Sequence, residues 1–301
     1  MVSPAASIES PLLVTFLAVL DAGRISAAAK ALHLSQPAVT AQIRKLEDAI
    51  GAALFVRSVR GVTPTEAGVR LAGYARTIRR TLDEAIAEVA GVEERSGPLV
   101  VAASTTIAAH VLPSLLAEFR SVHRAAPLRI HVGNTEEVIA EVREGRIPLG
   151  LVEGHARAAG VRLEPFIDDE LVAIVGIHTS YQVRRAKDLD HTPLLWREPG
   201  SGTRAIVERA LRRAGLGRRA ARALDLELRS TEAIIGGAAA GLGVAFVSRS
   251  SVRAHLAAGW VRIIPALDLA LRRTFHWALP AGPLSGTAAR FYELARRRGV
   301  Q

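Results

Sequence analysis

The chain has 301 residues, 49% of them apolar, a formal net charge of +10 and no cysteine. At about 150 residues per domain this is two or three domains, each able to bury a core, and the missing cysteines exclude disulfides, thiolate metal sites and thiol redox sensing. No apolar run reaches the roughly 20 residues of a membrane span, and the first residues, MVSPAASIESP, lack the pattern of a signal peptide, so a soluble cytoplasmic protein is expected.

The positive balance says less than its size suggests. Only Lys30, Lys45 and Lys187 are lysines; the rest is Arg, and a chain this rich in Arg and Ala can reflect coding bias. Net charge alone therefore supports nucleic-acid binding weakly.

Residues 11–22 (PLLVTFLAVLDA) read as an apolar helix with Leu12, Phe16 and Val19 or Leu20 on one side, closed by Gly23. Residues 25–47 (ISAAAKALHLSQPAVTAQIRKLE) read as two short helices joined by a tight turn at His33-Leu34. Ser26 is the expected cap of the first, whose Ala27, Ala28 and Ala29 permit close helix contact. Ser35 caps the second, with Pro37 in its first turn, where a missing N–H costs nothing. Val39, Ile43 and Leu46 fall at i, i+4 and i+7, a buried face. The opposite face carries Pro37, Ala38, Thr40, Ala41, Arg44 and Lys45: small, polar and basic, fit for a DNA major groove. An ordinary helix hairpin with a solvated face has the same spacing.

Residues 54–63 (LFVRSVRGVT) read as a short hairpin with a basic tip. Beside a helix-turn-helix it is a wing, with Arg57 and Arg60 reaching phosphates or the minor groove. Thr63 and Glu66 have capping-box spacing, with Pro64 at the first helical position. The helix they open is expected to run to about residue 92, roughly 40 Å at 1.5 Å per residue. Its apolar positions Leu71, Tyr74, Ile78, Leu82, Ala85 and Val89 form one seam that suits a partner helix in a dimer, with packing along its own domain as the alternative. Arg70, Arg76, Arg79 and Arg80 lie in its first half and Asp83, Glu84, Glu88, Glu93 and Glu94 in its second, a split suited to antiparallel pairing.

Ser96-Gly97-Pro98 breaks the helix and marks a domain boundary. Strand and helix patterns then alternate: strands at 99–103, 128–132 and 149–152 with helices at 106–120 and 136–144, then strands at 171–177, 194–196, 224–228, 244–247, 261–264 and 273–279 with helices at 202–214, 232–240 and 287–298. This implies two α/β lobes on largely parallel sheet, with the chain crossing between them near 166–170 and 267–273.

Residues 26–68 (SAAAKALHLSQPAVTAQIRKLEDAIGAALFVRSVRGVTPTEAG) carry a Ser-Gln-Pro-Ala turn, an Ile-Arg-Lys-Leu-Glu tail, a Leu-Phe-x-Arg wing and Thr65-Glu66-Ala67-Gly68 at the start of the long helix. On these motifs the chain resembles a LysR-type transcriptional regulator over essentially its full length. The resemblance implies an α/β protein in three parts: a winged helix-turn-helix at 9–65, a dimerising linker helix at 66–95, and a two-lobed effector domain like a periplasmic binding protein at 96–301. Lobe 1 would take about 97–166 and 270–301, and lobe 2 about 167–269. It also implies double-stranded DNA and a small-molecule effector as partners, a dimer of dimers as assembly, and no enzymatic activity, membrane association, cofactor or metal. Carried over by position, Ser35, Gln36, Pro37, Thr40 and Arg44 meet DNA together with Arg57 and Arg60. Gln36 could pair with adenine N6/N7, and Arg44 is a phosphate contact.

In a two-lobed α/β binder the ligand lies at strand carboxyl ends. Ser104, Thr105 and Thr106 follow the first strand; Arg197-Glu198-Pro199-Gly200-Ser201-Gly202-Thr203-Arg204 follows the Leu-Leu-Trp strand. Glu198, Gly200, Ser201, Gly202 and Thr203 can turn backbone N–H groups and hydroxyls toward an anion; plain helix capping by Ser104 or Ser201 is the alternative, and the corresponding places of the two segments in the two lobes favour ligand contact. The Glu-Pro-Gly-Ser-Gly-Thr-Arg segment is similar to one in family members associated with carbon fixation and sulfur assimilation, which suggests a small oxyanion or an anionic metabolite. Glu153 departs from this: a carboxylate there repels an anion unless it turns away, pairs with an Arg or meets a donor on the ligand. Pro148 stands where the family commonly has Asp, and Thr231, opening another helix, is a further lining residue or a cap.

Enzyme motifs do not fit. Gly200-Ser201-Gly202 is not a nucleophile elbow, residues 237–243 (GAAAGLG) lack dinucleotide spacing, no Walker lysine follows GSGT, and no H-E-x-x-H occurs. A plain solute-binding protein would have a signal peptide and no winged helix.

Overall fold

The computed structural model describes residues 8–59, 61–89, 97–154, 159–216, 225–265, 269 and 271–298. The N-terminal unit packs α1 (Ser10–Ala22), α2 (Ile25–Ala31) and α3 (Gln36–Ile50) around Phe16, Val19, Ala28, Val39, Ile43 and Leu46. Gly23 ends α1 in the left-handed region, at φ 63°. Arg24, not Ser26, is the N-cap residue of α2, and no side chain caps that helix. The turn into α3 places His33 at φ 55°, and Ser35 Oγ caps α3 by accepting the Ala38 N–H at 3.3 Å.

The hairpin β1 (Phe55–Ser58) and β2 (Gly61–Pro64) follows, antiparallel, with Arg57 opposite Val62. It is tied to α3 through Glu47 Oε1, which accepts the Leu54 N–H at 2.8 Å. The expected Thr63 capping box is absent because Pro64 belongs to β2. Thr65 caps instead, its Oγ1 accepting the Gly68 N–H at 3.0 Å and donating to the Ala53 carbonyl at 2.7 Å. The long helix α4 (Glu66–Val89) therefore starts at Glu66 and is about 36 Å long; the end expected near residue 92 lies outside the described residues.

α4 uses two faces. Ala72 and Ala75 are buried against the N-terminal core. Of the seam read from the sequence, Leu71 packs against the N-terminal core, whereas Tyr74, Ile78, Leu82 and Val89 are 46–89% exposed, with Ile86 exposed beside them.

The rest is one mixed sheet in two lobes. Lobe 1 contains β3 (Leu99–Ser104), α5 (Thr105–His110), α6 (Leu112–Val122), β4 (Leu128–Gly133), α7 (Thr135–Arg143) and β5 (Gly150–Glu153). The single helix expected at 106–120 is divided at Val111, the residue before Leu112-Pro113. A 16-residue strand, β6 (Val161–Gly176), then passes from lobe 1 into lobe 2, where the sequence pattern showed only its apolar second half. Lobe 2 adds β7 (Leu194–Arg197), α8 (Gly202–Arg213), β8 (Leu226–Leu228), α9 (Thr231–Ala239), β9 (Val244–Ser248), α10 (Arg253–Ala257) and β10 (Val261–Ile263). The return strand β11 (Arg272–Pro280) and α11 (Gly286–Ala295) complete lobe 1.

Strand order is β4-β3-β5-β11-β6-β9-β7-β8, with β10 also on β6. The β3–β4, β3–β5, β7–β8 and β7–β9 pairs are parallel. The crossing strands β6 and β11 are antiparallel to each other and to their other neighbours. The parallel expectation thus holds outside the crossing, where a strand that goes and a strand that returns must oppose. Pro148 is buried just before β5 and costs the ladder no hydrogen bond. Lobe 1 is centred on Phe119, Phe275, Trp277 and Phe291, and lobe 2 on two clusters that share the β6–β9–β7 layer.

Candidate functional site

On α3, Gln36, Pro37, Ala41 and Arg44 are exposed and Thr40 is half-buried, while Val39, Ile43 and Leu46 hold the helix to its core. Ser35 is exposed and engaged as the cap. Lys45 on the same face pairs with Glu9 at 2.8 Å; Arg44 forms no ion pair among the described residues. Arg57 is exposed on the hairpin beside this helix, and Arg60 lies outside the described residues.

Between the lobes the carboxyl ends of β3, β5 and β7 meet the starts of α8 and α9. Glu153 ends β5 and is buried. Its Oε1 accepts from Ser104 Oγ at 3.1 Å and the Thr106 N–H at 3.2 Å. Its Oε2 accepts from Thr203 Oγ1 at 2.7 Å and Arg273 Nη1 at 2.6 Å. All four acceptor positions of the carboxylate are used. Burial pushes its pKa up, but the Arg273 charge, the hydrogen bonds from Thr203 and Thr106 and the Arg197 charge outweigh burial and hold it at about 2. Arg273, on β11, also donates from Nε to Asp169 on β6 at 2.6 Å, and its Nη2 is buried without a partner among the described residues.

A second buried cluster lies alongside. Arg197 and Glu198 form a two-point ion pair at 2.8 and 2.9 Å. Arg197 Nη1 donates to Thr105 Oγ1 of lobe 1 at 3.0 Å and to Thr231 Oγ1 of lobe 2 at 3.3 Å. The two threonine oxygens are themselves 3.4 Å apart.

The glycines set how closely the lobes approach. Gly200 has φ +86°, and a Cβ there would lie 2.9 Å from Glu136 Oε2 and 3.0 Å from Asn134 Oδ1; at Gly202 it would lie 2.7 Å from Thr135 Oγ1. Ser201 caps α8 by accepting the Arg204 N–H at 3.4 Å. Ser104 makes no capping bond and serves Glu153 instead. Thr203 contacts Glu153 and Arg273 and Thr231 contacts Arg197, both beyond a capping role. Gly200, Ser201 and Gly202 border an open cavity of about 710 Å³ between α7 and α8, with Thr135, Arg143 and Arg204. The structure thus gathers Ser104, Thr106, Glu153 and Thr203 in one cluster and Thr105, Glu198 and Thr231 in another.

Three participants were missed. Arg197 stood at the edge of the segment already singled out. Arg273 and Asp169 had a signal of their own: a charge inside the apolar strand pattern RRTFHWALP, facing the acidic stretch Asp168-Asp169-Glu170 across the two crossing strands. Among the described residues no group of His, Asp and Glu could hold a metal ion, and no helix is long and apolar enough to cross a membrane.

An exposed winged helix, a long helix with an open seam and a two-lobed cleft define a ligand-responsive DNA-binding regulator. Residues 11–69 match the bacterial regulatory helix-turn-helix protein model of the LysR family, and residues 93–299 match the LysR substrate binding domain. The chain belongs to the LysR family of transcriptional regulators. It is 32% identical over 269 residues to the HTH-type transcriptional regulator CysL of Bacillus subtilis, covering 88% of this chain and 89% of the relative. It is 33% identical over 279 residues to CbbR of Xanthobacter flavus, covering 86% and 80%. In fold it is similar to full-length LysG of Corynebacterium glutamicum with bound effector Arg, at TM-score 0.75 and 19% identity over 97% of this chain and 98% of LysG. The relatives are regulators, not enzymes, in agreement with the enzyme reading set aside above.

Proposed function

We propose that this regulator reads DNA with residues 9–65, dimerises through 66–95 and senses a small molecule with 96–301. Gln36, Pro37, Thr40 and Arg44 enter the major groove, Ser35 fixes the helix end that approaches it, and Arg57 and Arg60 serve the wing. The exposed seam of α4 pairs two chains, and pairs of chains assemble as a dimer of dimers in the cytoplasm.

The effector binds between the lobes, among Ser104, Thr105, Thr106, Glu198, Gly200, Ser201, Gly202, Thr203 and Thr231. The observation that carries this reading is the Glu153 cluster: two hydroxyls, a backbone N–H and a guanidinium converge there on one carboxylate. These are the donors a small oxyanion or carboxylated metabolite needs. An anionic effector takes them over from Glu153 and changes the angle of the lobes, and its differential affinity for the two angles is the regulatory signal.

The test combines a gel shift on genomic fragments with a thermal-shift screen of sulfur oxyanions, sugar phosphates and carboxylates. Specific retardation, altered by a compound that also raises Tm, is the expected result. Turnover of a metabolite without retardation would overturn the reading.

A further inference from the structure

One helix touches both ends of this machine. At its N-terminal end, α7 is held by lobe 2: the Glu136 N–H donates to the Gly200 carbonyl at 3.2 Å, Asn134 Nδ2 to the Pro199 carbonyl at 3.4 Å, and Arg229 to Glu137 at 3.3 Å. Thr135 Oγ1 also bonds the backbone of Glu153, at 3.2 and 3.3 Å. Val138, Ile139 and Val142 fasten the helix to lobe 1.

At the other end, about 13 Å along the axis, the turn after α7 is pressed onto α4. Gly145, at φ +68°, lies so near Gly73 that a Cβ on it would be 2.9 Å from the Gly73 Cα. A Cβ on Gly73 would be 3.0 Å from the Arg143 carbonyl oxygen. Arg76 of α4 donates to the Glu144 carbonyl with one guanidinium nitrogen and pairs with Asp21 of α1 with another. The path from the cleft to the winged helix of the same chain is thus continuous: Gly200, α7, Glu144, Arg76, Asp21.

We propose that α7 carries the state of the cleft to the winged helix of its own protomer, and that Arg76 is the positioning residue at its output end. The inference rests on the cleft being the controlling site. Lobe 2 supplies the contacts at one end of α7, so opening the cleft removes them. The glycine contacts at the other end leave no slack, so a shift of α7 must move α4, and through Arg76 it moves α1.

The test needs no effector. Thr105 and Thr231 face each other across the lobes with oxygens 3.4 Å apart, and the chain has no cysteine, so Thr105→Cys with Thr231→Cys gives a single oxidisable lock. DNA affinity is measured oxidised and reduced, on a duplex selected from random sequence by the reduced protein, with native Arg76 and with Arg76→Ala. With native Arg76 the oxidised and reduced forms should differ at least fivefold in Kd, the low end of ordinary allosteric coupling; with Arg76→Ala the ratio should fall below twofold. The ratio is blind to any general loss of affinity, so a merely structural role of Arg76 does not move it.

An equal ratio in both backgrounds would overturn the α7 route and leave the cleft reading standing. No change on oxidation with native Arg76 would overturn both, as would thiols that fail to oxidise. Should Arg76→Ala not fold, Gly73→Ala, which suits a helix but pushes on Arg143, must reduce the ratio in the same way.

Discussion

Replacing Glu153 by Gln keeps the shape of the cleft and removes its central charge. The side-chain amide can still accept from Ser104 and Thr106 with its oxygen, but its NH₂ then faces Thr203 and Arg273, which are donors to Glu153 in the native chain. Asp169 still neutralises Arg273, so the variant should fold. The native carboxylate titrates at about 2 against an ordinary 4.5, worth about 3 kcal/mol in favour of the ionised form at neutral pH. Because the folded-state pKa is the lower one, this stability is complete above pH 4.5 and disappears as pH falls toward 2. The gap between native protein and Glu153→Gln should therefore be about 3 kcal/mol at pH 7 and less than half of that at pH 3. Urea unfolding followed by tryptophan fluorescence measures it, because Trp196, Trp260 and Trp277 all lie in the two-lobed part. A gap below 1 kcal/mol at pH 7, or one that does not shrink with pH, would refute the assignment of Glu153 as an ionised, fully bonded group.

Arg44→Ala should weaken DNA binding evenly across sequences and lower the salt slope by about one unit; an unchanged slope in anisotropy titrations would count against a phosphate contact. Ile78→Glu with Leu82→Glu places charge in the exposed seam of α4 and should yield monomers by sedimentation velocity, while α3 and its core stay folded. Ser201→Ala with Thr203→Ala should abolish effector response and retain DNA binding, so a normal response would show the pocket to be misplaced.

The N-terminal part was the most legible in sequence because its signals are local. Caps, a proline in the first turn and i, i+4, i+7 spacing act within one helix, and Ser35, Pro37, Val39, Ile43 and Leu46 all behave as that spacing requires. Where two local signals competed, the nearer tertiary tie decided: Thr65 became the cap because Pro64 is paired with Phe55 in the wing. The cleft was legible only in part. Ser104, Thr106 and Thr203 announced themselves as hydroxyls at strand ends. Their common partner did not, because Glu153 and Arg273 are 120 residues apart and meet only once β11 has returned beside β5.

The same separation explains how a carboxylate came to stand where an anion was expected. A buried glutamate with fewer donors would be raised in pKa and protonated, or expelled to solvent. Here burial is outweighed by donors from both lobes: Ser104 and Thr106 from lobe 1, Thr203 from lobe 2, and Arg273 from the strand that joins them. Within the closed cleft Glu153 is thus held as an anion, with Thr203 as the donor that lobe 2 contributes. Anything that takes its donors also loosens the contact between β5 and α8, and Thr135, bonded to the Glu153 backbone, is the first residue of α7 to feel it. In the proposed mechanism sensing and transmission therefore begin at one residue: displacement of the Glu153 carboxylate by an anionic effector would be both the recognition of the ligand and the first movement of the helix proposed to report it.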